Sequence, residues 1–394
     1  MSSRPPARER RAVCLSFGKE REKQKQQSHI TSWVKREENI VTLCGRREKK
    51  KKKKEYQRTK RKKKKKTMNI IFGGLWWVLS TVSLLVGLFS VVTYLVGIAL
   101  QQLVMRIPQD LKKKYDAEWA VVTGASSGIG KAITEKLAQQ QINVVLVALE
   151  EPALHSTFAE LQKKYPKCSF RKVGVDLGGE GMRYMAPIIE ATQDIDVALL
   201  FNNAGYLQTG LFTDTEVDRL RANLECNACC AIPITHHFLR KMLERQRRGL
   251  VAFTSSCAGY LPGPTATLYS PSKAFLTNFA VTIAAEVRHA GIHVVAMHPS
   301  PVNTNFFKHK GPTLSTIEVS RKMVSPPSHV ADQLFASAGR LTVWDQGTTT
   351  AAFRWLNKLF DFQFFMEVIV RIAKLSGDHK KLVEASKIHR RKRA

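Results

Sequence analysis

Negative charge is scarce in this 394-residue chain: 32 Asp and Glu face 63 Lys and Arg, for a formal net charge of +31. Such a surplus marks a nucleic-acid binder only where it covers a folded surface. Here it sits at the ends. Residues 1–67 hold 26 Lys and Arg against 7 Asp and Glu, and residues 380–394 hold 7 against 1, so the middle is only mildly basic. Cysteine is sparse too. Cys14, Cys44, Cys168, Cys226, Cys229, Cys230 and Cys257 show no regular spacing, which speaks against a disulfide framework and for a reducing compartment. Paired metal ligands are missing: Cys226-x-x-Cys229-Cys230 has no second ligand pair, so no metal is expected and these cysteines read as small buried residues. His236 and His237 read as helix surface and His298 as a loop residue.

Charge of either sign disappears from residues 70–100. At about 1.5 Å per helical residue that stretch spans roughly 46 Å against a hydrocarbon core of about 30 Å, enough for one tilted span or a re-entrant hairpin. No small-residue cleavage site follows, which argues against a signal peptide. Residues 68–106 are therefore assigned to a hydrophobic membrane anchor. Upstream, residues 1–67 culminate in basic runs at 49–54 and 60–66 and are too poor in apolar residues to build a core, so a disordered basic tail is expected. Its readings are a nuclear-localisation or RNA-binding tail, a polybasic strip on anionic lipid, or, because Met68 opens directly before the apolar stretch, a gene-model extension.

Hydrophobic residues make up 44% of the chain, ample for a packed core. After a linker at residues 106–118, apolar runs of about five residues at 119–123, 143–147, 197–201, 250–254 and 292–296 alternate with helix-length segments such as 131–141 and 274–290. Runs that are apolar on both faces belong to buried parallel strands, and their alternation with helices builds an α/β, doubly wound parallel sheet of the Rossmann type. The catalytic domain is placed at residues 107–312, a C-terminal helical substrate or lid region at 313–378 and a basic tail at 379–394. Within it, residues 353–375 mix aromatic and branched side chains with Arg354, Lys358, Asp361, Arg371 and Lys374. That stretch reads as an amphipathic helix over a substrate mouth or on a membrane face, or as an ordinary packed terminal helix.

The first run leads straight into Thr123-Gly-Ala-Ser-Ser-Gly-Ile-Gly130 and then into a helix. Gly124 and Gly128 permit a tight turn close to a phosphate, Gly130 lets the helix pack near the strand, and the helix N-terminus attracts the anion. A second constellation lies downstream. Tyr269 and Lys273, four residues apart, share one helix face, and an ammonium beside a phenol favours the phenolate, making a usable acid/base near neutrality. Pro271 between them fits only a helix's first turn, so the helix should begin close to Tyr269.

These motifs resemble the short-chain dehydrogenase/reductase family over residues 118–307. Its Thr-Gly-x-x-x-Gly-x-Gly is met by the loop at 123–130, its Asn-Asn-Ala-Gly by Asn202-Asn203-Ala204-Gly205, and its Tyr-x-x-x-Lys by Tyr269 and Lys273. The resemblance implies four catalytic residues: Tyr269 to give the proton, Ser256 to hold the carbonyl oxygen, Lys273 to lower the Tyr269 pKa and grip the ribose, and Asn223 to hold a relay water. It implies cofactor binding by Thr123, Gly124, Ser126, Ser127, Gly128, Ile129, Gly130, Asp176, Asn203, Ala204, Gly205, Tyr269, Lys273, Pro299, Val302 and Thr304. Pro299-Ser300-Pro301 departs from the family's Pro-Gly. Ala148-Leu149-Glu150-Glu151 offers no basic partner for a 2′-phosphate, so the lean is to NAD over NADP, although similar membrane reductases often use NADPH.

The expected activity is hydride transfer between NAD(P)(H) and a lipid-like ketone or alcohol, a 3-ketoacyl-CoA or steroid ahead of a 3-ketosphinganine. The expected setting is the endoplasmic-reticulum membrane with the catalytic domain facing the cytosol. Expected partners are the lipid-like substrate and the membrane, with no nucleic acid; a homodimer is compatible with the family. The rival is a non-catalytic Rossmann binding protein whose basic tail meets nucleic acid or membrane.

Overall fold

The computed structural model describes residues 7–307, 314, 315, 318 and 324–393. The chain divides at residue 90 into two units. The N-terminal unit is helical: α1 (Ala7–Met105) runs without a break from there into the second unit. Residues 7–67, the greater part of the basic tail, lie within this helix. Lys, Arg, Gln and Glu are all strong helix formers, and no proline interrupts residues 7–105. Every side chain from 31 to 80 is exposed, Trp76 and Trp77 included. An unbroken helix also leaves no turn for a hairpin in residues 70–100.

The second unit is a seven-stranded, wholly parallel sheet in the order β3-β2-β1-β4-β5-β6-β7. Its strands are β1 (Trp119–Thr123), β2 (Asn143–Ala148), β3 (Phe170–Gly174), β4 (Val197–Asn202), β5 (Gly249–Thr254), β6 (Ile292–Pro299) and β7 (Val343–Gln346). The helices are α2 (Leu111–Tyr115), α3 (Gly128–Gln139), α4 (Pro152–Lys164), α5 (Met185–Glu190), α6 (Val217–Leu224), α7 (Ala231–Glu244), α8 (Tyr269–Val287), α9 (Pro327–Ser337), α10 (Thr348–Leu359), α11 (Phe362–Ala373) and α12 (Gly377–Arg393). Successive strand residues point to opposite faces. Ala120, Val122, Leu146 and Phe201 meet Ile133 and Leu137 of α3 and Leu334 and Phe335 of α9 on one side. Val121, Val145, Leu200 and Phe253 meet Phe238 of α7 and Leu276 and Ala280 of α8 on the other. All five expected runs are strands of this sheet.

Three expectations need correction. Residues 106–118 are no loose linker: α2 sits there, capped by Asp110, with Leu111 and Tyr115 buried in the core because an apolar pair four residues apart forms one buried stripe. The stretch 353–375 is two helices, broken at Phe360, whose backbone is extended, and restarted where the Asp361 side chain accepts the Phe364 N–H at 3.0 Å. His298 is not a loop residue. It lies in β6 at 1% exposure, its buried ring Nδ1 partnered by Asp345 of β7, 2.9 Å away.

Candidate active site

The strand order reverses between β1 and β4, and parallel sheets open a crevice beyond their carboxyl ends at such a point. Each loop that enters it is pinned by hydrogen bonds. Thr123 Oγ1 accepts the N–H groups of Asn203 (2.9 Å) and Ala204 (3.0 Å), while the Asn203 side chain donates to the Thr123 carbonyl (3.1 Å) and accepts from Thr254 Oγ1 (3.0 Å). The ends of β1, β4 and β5 are thereby locked together. Gly124 and Gly128 take φ of 66° and 54°, the left-handed region glycine favours. At Gly130 a Cβ would stand 2.1 Å from the Gly124 carbonyl oxygen, so only glycine lets α3 start this close to β1.

The same cradle tests whether a nucleotide cofactor fits. Ser127 precedes α3 without capping its amides by its side chain, leaving a glycine-lined helix N-terminus suited to a phosphate. Thr304 reaches the loop, since a Cβ on Gly128 would meet its methyl group at 2.8 Å. Asp176 is exposed just beyond β3, where Oδ1 accepts the Gly178 N–H at 2.8 Å. The Ser126 carbonyl accepts from Thr157, Ile129 packs on the core, Pro299 closes β6 and Val302 is buried beside a bridge to Ser325. In the segment that follows the unusual Pro299, Ser300 bonds back to Gln346. At the end of β2 the Glu150 carboxylate is paired with His155 at 2.7 Å.

Tyr269 is the first residue of α8, as Pro271 requires. Lys273, one turn on and 3% exposed, donates to the Thr254 carbonyl at 2.9 Å and lies 5.7 Å from the centroid of the Tyr269 ring. Ser256 is buried beside them, its Oγ accepting the Ala258 N–H at 3.1 Å. The Tyr269 ring is half-buried under Phe306, ring centroids 5.3 Å apart. Burial raises the Tyr269 phenol well above its ordinary value, opposed by its hydrogen bond with Ser256, so the phenol is held protonated rather than driven to phenolate. Burial lowers Lys273 to about 8, opposed by Cys226 and Cys230.

One turn beyond Asn223 stands a second asparagine, Asn227. After α6, which contains Asn223, the helix widens into a π-turn at Glu225–Cys229, a feature frequent at functional sites. There Asn227 is buried, accepting the Tyr206 N–H at 2.8 Å and donating to the Tyr206 carbonyl at 2.9 Å. A Cβ on Gly205 would meet Asn227 Oδ1 at 2.8 Å and Lys273 Nζ at 3.3 Å, so these two groups share one wall of the site. Asn223 donates to the same Tyr206 carbonyl at 3.0 Å, but its Oδ1 has no partner among the described residues. Those residues also contain no cluster able to hold a metal ion.

Sheet order, phosphate cradle and the Ser–Tyr–Lys group together define a dinucleotide-dependent oxidoreductase of the Rossmann type. Residues 118–315 match the family model for short chain dehydrogenases, and the chain belongs to that family of NAD(P)-dependent enzymes acting between CH–OH and ketone groups. It is similar to a very-long-chain 3-oxoacyl-CoA reductase of Coprinopsis cinerea, 29% identical over 293 residues that cover 72% of this chain and 83% of the relative. It is also similar to the human inactive hydroxysteroid dehydrogenase-like protein 1, 31% identical over 262 residues, 60% of this chain and 77% of the relative. Among solved structures, a 7beta-hydroxysteroid dehydrogenase overlays with a TM-score of 0.59 at 23% identity, covering 66% of this chain and 99% of that one, a likeness of fold.

Proposed function

We propose that this chain is a membrane-anchored reductase of a lipid-like ketone, a 3-oxoacyl-CoA or steroid ketone ahead of a sphingoid one. The observation that carries the reading is the convergence of Tyr269 with the buried Ser256 and Lys273 beside an uncapped glycine cradle. Bound there, the nicotinamide would supply the hydride. The protein's own work is to place the carbonyl oxygen and give it a proton. Tyr269, held in its neutral form, is the donor; Ser256, hydrogen-bonded to it, steadies the oxygen as charge develops; Lys273 restores the proton from below the ring, with Asn227 rather than Asn223 as the amide beside it. Thr123, Gly124, Gly128, Gly130, Asn203, Ala204 and Thr304 would hold the cofactor. With Glu150 at the end of β2 the reading leans to NAD, and no basic side chain of residues 148–151 offers itself to a 2′-phosphate.

The relatives named 3-oxoacyl-CoA reductases support an acyl-CoA substrate, and Phe306 over Tyr269 supports an apolar body. Relatives named inactive support the non-catalytic rival, against which stands the intact Ser256, Tyr269 and Lys273 geometry. The exposed apolar stretch at 70–100 supports a membrane anchor, and the free cysteines together with Arg106, Lys112, Lys113 and Lys114 after it support a cytosol-facing catalytic domain at the endoplasmic-reticulum membrane. Lys308 and Lys310, a candidate grip on an acyl-CoA phosphate, and Ala394 lie outside the described residues. Turnover of the detergent-solubilised chain on 3-oxoacyl-CoAs of increasing length tests the substrate: kcat/KM should rise with chain length, and a flat or falling series defeats it. Tyr269→Phe should abolish turnover while cofactor still binds; a variant as active as the wild type defeats the mechanism.

A further inference from the structure

Behind the reacting helix runs a polar chain that the site residues leave unused. Ser255, next to Ser256, donates to the Lys273 carbonyl at 2.7 Å, and Thr277 Oγ1 lies 3.1 Å from the same oxygen and 2.9 Å from Ser255 Oγ. Thr277 then meets His298 Nε2 at 2.8 Å. His298 Nδ1 is 2.9 Å from Asp345 Oδ1, which also accepts from the Tyr260 hydroxyl at 2.7 Å. The other Asp345 oxygen accepts from Arg354, whose guanidinium stands 5.0 Å from the Tyr94 ring. A carboxylate only accepts, so the proton of the imidazole belongs on Nδ1; with Ser255 serving the Lys273 carbonyl, Thr277 is free to donate to Nε2. With the proton on Nδ1 and the Thr277 hydroxyl donating to Nε2, both ring nitrogens have a partner.

This arrangement is costly for a core. His298 and Asp345 are 1% and 8% exposed, and apolar residues of similar volume would give equal or greater stability. What the polar chain adds is orientation. It joins the turn after Ser256, through Tyr260, to the second turn of α8, through Thr277 and the Lys273 carbonyl, and anchors both on β6 and β7.

We propose that the buried His298–Asp345 pair is a positioning device for the reaction, holding Ser256 and the Tyr269–Lys273 turn in fixed mutual register through Tyr260, Thr277 and Ser255. The inference rests on Tyr269 and Lys273 being the reacting pair. A displacement of about 1 Å at reacting groups is enough to cost on the order of a hundredfold in rate. Loss of one link should therefore act on turnover more than on binding.

The test uses the full chain in detergent, a long-chain 3-oxoacyl-CoA as probe, and NADH or NADPH. Thr277→Val, which removes the hydroxyl at nearly constant volume, should lower kcat roughly tenfold while KM and the cofactor Kd change by less than about twofold. Thr277→Ser should restore kcat, and Asp345→Asn should lower it further. Melting temperatures are measured alongside, because a purely stabilising role would lower them and leave kcat per cofactor-binding molecule unchanged; that pattern overturns the proposal. So does wild-type kcat in Thr277→Val when Tyr269→Phe is inactive. Wild-type turnover in Tyr269→Phe overturns instead the reading of the reacting pair, and a wild-type chain that binds cofactor yet reduces no probe overturns both.

Discussion

Gly130→Ala puts the cradle itself under test. The added Cβ would stand 2.1 Å from the Gly124 carbonyl oxygen and 2.7 Å from Asn203 Nδ2, with the carbonyl carbon at 2.8 Å. The nearest contact falls roughly 1 Å short of an ordinary C···O approach, and two of the three obstructing atoms are backbone, which cannot swing aside as a side chain would. The first turn of α3 must therefore move off the end of β1 by about that distance. Amide donors so displaced lose a bond to a charged group, worth about 1.5–3 kcal/mol, or roughly ten- to a hundredfold in Kd. Fluorescence titration of the full chain with NADH and NADPH should show that weakening, with a melting temperature lower by a few degrees. Gly377→Ala, where nothing lies within 4 Å, is the control and should change neither. Wild-type cofactor affinity in Gly130→Ala would refute the assignment of this loop as the phosphate cradle.

Asn227→Ala should reduce kcat by at least about tenfold and Asn223→Ala by much less, as judged by steady-state turnover of each folded variant; the reverse order would return the role to Asn223. The reductive kcat/KM should fall above about pH 8, because Lys273 is an ammonium below that value and neutral above it. The sign for stability is opposite. Its folded pKa lies below the ordinary 10.5, so the unfolded chain binds more protons between about 8 and 10.5 and this residue's contribution to stability rises with pH across that window, measurable by denaturant titration. Glu150→Arg should move the ratio of kcat/KM toward NADPH over NADH, since it replaces a carboxylate with a phosphate-binding guanidinium; an unchanged ratio would exclude that position from cofactor choice.

The central strands were legible because five of them are apolar on both faces and nothing else explains such runs. β3 and β7 were not. Phe170–Gly174 carries Arg171 and Lys172 at the sheet's edge, where a strand needs only one buried stripe, and Val343–Gln346 is short and holds a buried acid that makes sense only beside His298. The same holds for His298 itself, whose burial depends on a partner 47 residues away. The nucleotide loop and the Tyr–Lys pair were legible from spacing because both depend on local backbone geometry. Which asparagine faces Lys273 was not, since a π-turn adds a residue to the helix without any mark in composition. Nor could an apolar pair separated by three lysines announce that α2 is core rather than linker.

The last turns of helix α1, which belong to the second unit, set a practical limit on how the enzyme can be made. From Ser90 onward the helix belongs to the second unit: Tyr94 donates to the Ala351 carbonyl at 2.9 Å, and Arg340 donates to the carbonyls of Val104 and Ile107 at 3.1 and 2.6 Å. The Gln109 amide then bonds the carbonyls of Phe335, Ala336 and Ala338. A recombinant fragment trimmed at residue 107, the natural choice for removing the greasy segment, would strip Arg340 of one carbonyl, uncover the Tyr94 face of Arg354 and so loosen the outer end of the Asp345 chain. A fragment beginning near Ser90 keeps those contacts while discarding most of the apolar stretch, and is the form to express for crystallisation.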